Sequence, residues 1–598
     1  MAVAERKLML FSIGPVQDFI AQARRTGDLW FGSFLLSRLS RAAAEAFRGK
    51  NGIIVYPHID WEASPDRTKV TNKLLGYVES DSPGQLALDI RIEVARAWKK
   101  ISDEALERLR PYVNENLWDR QIKDFIEFYA VWVPLPDLND YGTALRRAEQ
   151  LLTARKTLRD FKQNEPAKMS GEKKSSLDGG RESVLLMDKQ NDLARFGIKS
   201  HETLDAISAV KRLSLYTRAG SRFLSVCDVA FNNFQRRLRK DENLRHQVEG
   251  YFSRLREIDP VFGKLNPNGE GQLFRLFYES RIEDFVDEHA NPPIQDEKKR
   301  KLVSQAAAEL EALYRKIGIR PTPYYAFLLC DGDRMGEALN ELSTFEQHGL
   351  FTERLSRFAD SAENIINACE GRLVYSGGDD VMAYLPIDKC LEAAASLQQS
   401  FACVMREAMP EDGRRPTLSI GIAVVHMMEM LGDVRQLAAE AERLAKQERN
   451  SLAIVYRKRN GGDQMRIRLS FDEQPVERLQ RIQQWYRDKL FSFSFAYELR
   501  GLYEEYSRLS QGSLWLSDQE RTRRLFEKEL ERLAVRKKPE HLTVEAVQRE
   551  LVSPMLDMLG GKGALLERLR MLAEQFIIAV NLEKAGAIYE TMAENSPS

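Results

Sequence analysis

Between Arg372 and Pro386 the chain reads RLVYSGGDDVMAYLP, and this stretch limits the fold more than any other. Leu373-Val374-Tyr375 and Val381 to Leu385 are β-rich runs, and Ser376-Gly377-Gly378-Asp379-Asp380 between them supplies the glycines that a tight hairpin turn demands. Two adjacent carboxylates are thereby lifted onto the rim of a buried sheet. Like charges about 4 Å apart repel by roughly 4 kcal/mol at an effective dielectric of about 20. Either one of the pair keeps its proton or a cation sits between them. A divalent metal ion is the simplest remedy, and the plain alternative is that Asp and Gly serve as ordinary turn residues.

Upstream, Tyr324 to Cys330 (YYAFLLC) is a continuous apolar run of buried-strand type. It ends in Asp331-Gly332-Asp333-Arg334-Met335-Gly336, ahead of the helix-like EALNEL. If the two strands are neighbours, the acids converge. Carboxylates clustered at two strand ends suit two-metal phosphoryl or nucleotidyl transfer, in which one ion activates the attacking hydroxyl and the other neutralises the leaving pyrophosphate. Hard oxygen ligands favour Mg2+ or Mn2+, and with no Cys–His spacing nearby zinc is not expected.

With 598 residues, the chain is long enough for about four domains of roughly 150 residues each. Its 43% hydrophobic and 30% charged content is that of a globular protein. No apolar run approaches the roughly 20 residues of a membrane-spanning helix, and MAVAERKLML lacks a signal-peptide core. A cytoplasmic protein with no membrane partner is expected. Cys227, Cys330, Cys369, Cys390 and Cys403 include no CxxC pair, so neither a zinc ribbon nor a disulfide framework is indicated. Lys plus Arg equals Asp plus Glu, 89 against 89, which excludes an overall basic field for nucleic acid and leaves only local or shared contacts.

From the N-terminus, Lys7 to Ile13 reads as a strand, followed by Gly14-Pro15 and a long helical segment that Gly27 and Gly32 could interrupt. Gly52 to Tyr56 is the next strand and ends in Pro57-His58-Ile59-Asp60; a helical insertion, the strand Phe128 to Leu135 and a helix from about Tyr141 to Lys156 follow. The later region repeats this order: strand Tyr324 to Cys330, helix, the acidic hairpin, strand Thr417 to Val425, and a helix from about Asp433 to Gln447. The two closing helices share text, AEQLLTAR from Ala148 against AEAERLAK from Ala439.

We read two copies of a βαββαβ, ferredoxin-like unit. Only the second is armed, because the first has Ser12-Ile13-Gly14 in place of Asp331-Gly332-Asp333 and Val55-Tyr56-Pro57-His58 in place of the acidic hairpin. The first copy could wall the other side of a nucleotide site, with His58 and Asp60 within reach of it.

Residues 167–181 are rich in Ser, Gly and Lys and read as a linker. Ile198 to Leu310 is mainly helical and holds the basic clusters Arg236 to Lys240 and Lys298 to Lys301, which are exposed helix faces or RNA contacts. Asn291-Pro292-Pro293 breaks the pattern. Beyond Gly461-Gly462 the chain turns helical and charged, with Leu479, Ile482, Trp485, Tyr486, Leu565, Leu566, Leu569, Leu572 and Ala573 at helical spacing. Gly560-Gly561-Lys562-Gly563 lacks the strand and the full pattern of a phosphate loop and reads as a helix start.

SGGDD, LLCDGDRMG, LSIGIAVVH, the N-terminal FSIGPVQDFIAQARRTGDLWFGSFLLS and the segment from Ala154 to Leu185 together resemble the large palm-domain subunit of type III CRISPR effector complexes, in its III-B form. The resemblance implies an α+β architecture of two ferredoxin-like palm domains of the cyclase and polymerase kind, with an intervening helical domain and a C-terminal helical bundle. The expected limits are 1–160 for the first, inactive palm, 161–315 for the helical linker domain, 316–465 for the palm with the GGDD site, and 466–598 for the bundle.

It further implies a nucleotidyltransferase that makes cyclic oligoadenylates from ATP when a guide CRISPR RNA complex captures target RNA, among other protein subunits. Carried over by position, Asp331, Asp379 and Asp380 are catalytic metal ligands for two Mg2+ or Mn2+ ions, with the Gly332 carbonyl as an addition. Asp333, the backbone at Arg334, Met335 and Gly336, the turn residues Ser376, Gly377 and Gly378, and Lys446 meet the nucleotide and its phosphates.

Many relatives open with a nuclease domain marked by a His-Asp pair. This sequence has no such dipeptide, so DNA cleavage by it is not expected. Two alternatives remain. One is a diguanylate-cyclase-like enzyme, although Val381 follows the second Asp where that family has Phe and no Lys follows the DGD segment. The other is an inert nucleotide-binding scaffold subunit.

Overall fold

The computed structural model describes residues 5–62, 70–158, 173–186, 193, 196–199, 201–217, 225–264, 273–290, 294–409, 414–459, 464–510, 519–538, 540–560, 564–586 and 589–590. Residues 167–172 of the linker, 291–293, 461–462 and 561–563 lie outside the described residues.

The first sheet contains β1 (Arg6–Gly14), β2 (Ile53–Tyr56), β3 (Lys73–Glu79) and β4 (Glu127–Pro134), all antiparallel, in the order β2-β3-β1-β4. Alternation sorts β1 between two cores. Met9, Phe11 and Ile13 join the helices Thr26–Gly49 and Pro83–Leu109 on one face, and Leu8 and Leu10 join the helix Tyr141–Thr157 on the other.

A two-residue strand β5 (Ile319–Arg320) precedes the second sheet and pairs with β12 (Tyr589–Glu590) near the other end of the chain. The second sheet contains β6 (Tyr324–Asp333), β7 (Arg372–Gly377), β8 (Asp380–Leu385), β9 (Thr417–His426), β10 (Ser451–Tyr456) and β11 (Met465–Ser470). Its order is β11-β10-β9-β6-β8-β7. The inner part, β7-β8-β6-β9, repeats the order of the first sheet, which is the ferredoxin-like arrangement twice over. Helices Phe345–Ala368 and Cys390–Ala408 cover one face and Leu431–Lys446 the other. β9 is buried along all but its first residue, as a continuous apolar run covered on both faces requires.

Three elements differ from the sequence reading. Lys73–Glu79 (KLLGYVE) is a strand inside the expected helical insertion; its Leu, Lys and Gly are weak strand formers, and pairing with β1 and β2 decides the outcome. Met465–Ser470 lies beyond Gly462, where helix was expected, yet it alternates Arg466 and Arg468 with buried Ile467 and Leu469 and extends the second sheet. The N-terminal helical segment breaks after Ala21 and resumes at Thr26, so Gly27 and Gly32 lie inside a helix. Gly32 serves packing there: a Cβ would stand 3.4 Å from both the Ile20 Cα and the Lys211 side chain.

Helices Val226–Lys240, Glu242–Ile258, Glu279–His289 and Asp296–Ile317 form most of the region between the sheets. After the second sheet come Pro475–Arg487, Phe493–Ser510, Gln519–Arg536 and Leu565–Gly586. Leu479, Ile482, Leu569, Leu572 and Ala573 face the core here as their spacing predicts. No helix among the described residues is long and apolar enough to cross a membrane.

Candidate functional site

β6 and β8 are hydrogen-bonded neighbours, in register up to Cys330 opposite Val381, and this places Asp331 and Asp380 one step further along at the rim. The hairpin is tighter than the sequence suggests. Gly377 pairs with Asp380, so only Gly378 and Asp379 form the turn, and Gly378 takes a φ of 87° that a side chain would resist. One carboxylate oxygen from each of Asp331, Asp379 and Asp380 lies within 4.8 Å of the other two, and all three residues are half-buried. Among the described residues this is the one group of three or more Asp, Glu, His or Cys side chains close enough to hold a metal ion.

The neighbouring glycines make the approach possible. A Cβ on Gly332 would come 2.8 Å from the Asp379 Oδ2 and 2.9 Å from its Cβ. A Cβ on Gly421 in β9 would collide with the Glu442 backbone, so Gly421 lets the helix Leu431–Lys446 settle onto the sheet. That helix brings Lys446, whose ammonium pairs with Asp331 and with Glu442, the latter at 2.9 Å.

Electrostatics at the rim show three carboxylates competing. Burial pushes Asp379 up to about 6, helped by the charge of Asp331 and opposed by backbone amides and Lys446. Burial raises Asp380 further, with its hydrogen bond to Asp331 and the charges of its neighbours adding to the effect. Asp331 is held below the usual range, because hydrogen bonds from Asp380 and Lys446 overcome its own burial. A buried group that must retain a proton for want of positive charge is what a divalent cation relieves. The all-oxygen, all-carboxylate set suits Mg2+ or Mn2+.

Asp333 departs from the expected nucleotide contact. It is buried, and its carboxylate accepts from the Thr417 hydroxyl at 2.8 Å, the Ser419 hydroxyl at 2.8 Å and the Asn450 amide at 2.9 Å. It clamps β6 to β9 and to the entry of β10. The hydroxyl of buried Ser376 is turned to the Ala359 carbonyl, 3.3 Å away, and not to the acids. Arg334 stands at φ 59° ahead of the seven-residue helix Met335–Glu341. His58 and Asp60 open on a separate cavity of about 790 Å3 against Arg48, Trp61, Glu353 and Arg357, with no residue of the acidic group in its wall.

Part of each basic run is engaged within the chain, while Arg237, Arg239 and Lys240 are exposed. Arg236 pairs with Glu370 and Asp388, and Lys299 with Glu283, Asp287 and Asp296. The five cysteines are free, four buried and Cys403 exposed.

Sequence reasoning passed over Tyr56. It ends β2 of the first sheet, yet its hydroxyl is pushed up to about 12 by burial, opposed by a hydrogen bond with Thr71 and assisted by the charges of Asp379 and Asp380. The first unit therefore stands beside the acids of the second. Only a strand end marked it in sequence, with no motif.

The family model described as Cas10/Cmr2, second palm domain, matches residues 324–453, and that described as CRISPR-associated protein Cmr2, N-terminal, matches residues 8–104. The curated CRISPR system Cmr subunit Cmr2 of Pyrococcus furiosus is 27% identical over 559 residues, covering 77% of this chain and 62% of the relative. The chain thus spans less than two thirds of that relative's length. Among solved structures, a chain of the type III-B Cmr-beta complex in the apo state superposes with a TM-score of 0.59 at 14% identity, covering 91% of this chain and 78% of the other. A chain of Cmr-beta bound to cognate target RNA gives 0.59 at 13%, covering 90% and 79%. At these identities the likeness is one of fold.

Proposed function

This chain belongs to the Cas10/Cmr2 family, and from that premise we propose that it is a subunit of a type III-B CRISPR effector complex that converts ATP to cyclic oligoadenylates. It works in the cytoplasm in antiviral defence, with guide CRISPR RNA, target RNA and further protein subunits as partners. The reaction is attack by the 3′-hydroxyl of one ATP on the α-phosphate of another, releasing pyrophosphate. The observation that carries this reading is the meeting of Asp331, Asp379 and Asp380 within 4.8 Å at the ends of adjacent strands.

Asp331, Asp379 and Asp380, with the Gly332 carbonyl, would hold Mg2+ or Mn2+. Two such ions, when bound, supply charge that activates the hydroxyl and offsets the departing pyrophosphate. The chain's own groups position the reactants. Lys446, free to exchange Asp331 for a phosphate oxygen once the acids are otherwise neutralised, holds a triphosphate. Backbone amides at Arg334, Met335 and Gly336 face the same anion, Gly377 and Gly378 let it approach the hairpin, and Asp333 keeps the strand ends aligned. Because the acids are half-buried, their repulsion of a triphosphate is stronger than it would be in open water, and bound cations would offset it.

The chain with Asp379→Ala and Asp380→Ala is expected to lose at least 100-fold in pyrophosphate release from ATP while assembling and melting like the parent. ATP offered against GTP separates this chemistry from that of a diguanylate cyclase. If the parent, in a full complex with target RNA and Mg2+, releases no pyrophosphate, the inert scaffold reading replaces this one.

A further inference from the structure

Among the described residues Lys446 has two ion-pair partners: the Asp331 carboxylate at the acidic centre, and the Glu442 carboxylate one turn back on its own helix, 2.9 Å away. Glu442 in turn has no other cation within ion-pair distance among the described residues. The lysine side chain is 38% exposed, so its long stem has room to turn. Glu at position i and Lys at i+4 is also the favourable order for a pair on one helix.

The sheet beneath fixes where this pair stands. Gly421 of β9 lies under Glu442: a Cβ there would come 2.2 Å from the Glu442 amide nitrogen and 2.6 Å from its Cα. The helix Leu431–Lys446 follows β9 and packs back along it, toward Ser419, which pairs with Asp331 of β6. One helical turn from Glu442 to Lys446 advances about 6 Å, and the two strand residues from Gly421 to Ser419 cover about 7 Å. Lys446 is therefore set above Asp331, with Glu442 one step behind. Glu442 stays outside the group of Asp331, Asp379 and Asp380 that can share an ion, yet its charge is felt by Asp380.

An ammonium and a divalent cation compete for Asp331, because each needs the carboxylate oxygen and like charges that close repel. Lys446 thus guards the centre until a cation displaces it. With Asp331 as its only partner, the lysine could leave for water alone and would lose its ion pair. Glu442 removes that loss. Rotation of the lysine stem exchanges one carboxylate for the other and keeps the ammonium beside the centre, where a triphosphate oxygen can also be met.

We propose that the Lys446–Asp331 pair is a latch on the acidic centre, and that Glu442 is the positioning residue that receives Lys446 when a divalent cation takes Asp331. The proposal rests on the two-metal reading of the acids given above and adds to it the residue that lets the centre open. Lys446 has two stations on the protein, Asp331 in the latched centre and Glu442 in the open one. From the second it reaches a nucleotide without surrendering its carboxylate partner. Glu442 touches neither the ion group nor the reacting atoms, so its whole effect passes through Lys446.

The test is Mn2+ binding to the full chain without nucleotide, read as loss of the free-ion signal in electron paramagnetic resonance. The Asp379→Asn, Asp380→Asn chain is the blank for ions bound elsewhere. Lys446→Met is expected to bind Mn2+ at least five-fold more tightly than the parent, and Glu442→Gln at least five-fold more weakly. Adding Glu442→Gln to Lys446→Met should change the affinity less than two-fold, since the glutamate acts through the lysine. Equal weakening in both backgrounds would mean that Glu442 acts by its field alone, and parental affinity in Glu442→Gln that Lys446 needs no second partner. Either result overturns the proposal, as does a Lys446→Met chain that binds no more tightly than the parent. Those outcomes leave the acidic centre standing, whereas a parent that binds no more Mn2+ than the blank removes the two-metal reading and this proposal with it.

Discussion

Asp331 and Asp333 differ by two residues and carry the same functional group, yet they have separate tasks. Positions i and i+2 of a strand share a face, so alternation could not tell them apart. What separates them is the lateral neighbour: Asp331 lies beside the β8 acids, whereas Asp333 has passed the end of that pairing and meets the hydroxyls of β9. Asp333→Ala strands two hydroxyls and one amide, and is expected to lower stability by about 2 to 4 kcal/mol, read as a fall in urea midpoint. Gly332→Ala should act the opposite way. Its Cβ would press on Asp379, so turnover drops by about 100-fold while the urea midpoint moves little. The acids themselves were legible, since two carboxylates on a glycine turn and a third after an apolar run are unusual text. The clamp role of Asp333 and the nearness of Tyr56 were not, because each depends on which strand lies alongside.

Elements were readable where periodicity was long. The helices Tyr141–Thr157 and Leu431–Lys446 fall where their apolar spacing put them, but β3 and β11 are strands by virtue of their neighbours and were hidden from local propensity. The contact between elements also gives a pH dependence. His348, on the helix Phe345–Ala368, is buried against the first palm, where its Nδ1 meets the Tyr141 hydroxyl. Burial, with a smaller push from Lys73 on β3, lowers it from 6.5 to about 4. Between those values the unfolded chain binds a proton that the folded chain refuses, so stability falls as pH drops. From pH 7 to pH 5 the loss attributable to His348 is about 2 kcal/mol. Urea unfolding at the two pH values should show that His348→Phe removes this part of the slope; an unchanged slope would mean that the palm contact does not sense the proton.

At the scale of the whole molecule, the second sheet rests on segments far from it in sequence. The helix Leu565–Gly586 is buried without interruption from Gln575 to Leu582, and its last turns are held by Asn233, which donates to the Gly586 carbonyl at 2.6 Å, and by the hydroxyl of Thr322. At the other end of the chain, Asp28 on the first palm's helix is fully buried and takes two bonds from the Arg212 guanidinium, at 2.8 and 2.9 Å, while Arg212 also reaches Glu202 at 3.0 Å. Burial alone would raise Asp28, and Arg212 more than reverses it. Such a group stabilises only while complete, because the charges left behind cannot return to water. Arg212→Met should therefore cost about 3 to 5 kcal/mol and uncouple the first palm from the central helices. Removing the stranded charges as well, with Asp28→Leu and Glu202→Leu added to Arg212→Met, should recover much of that loss in the melting temperature. If the triple variant melts no higher than the single one, the network's charges are not what joins the palm to the rest of the fold.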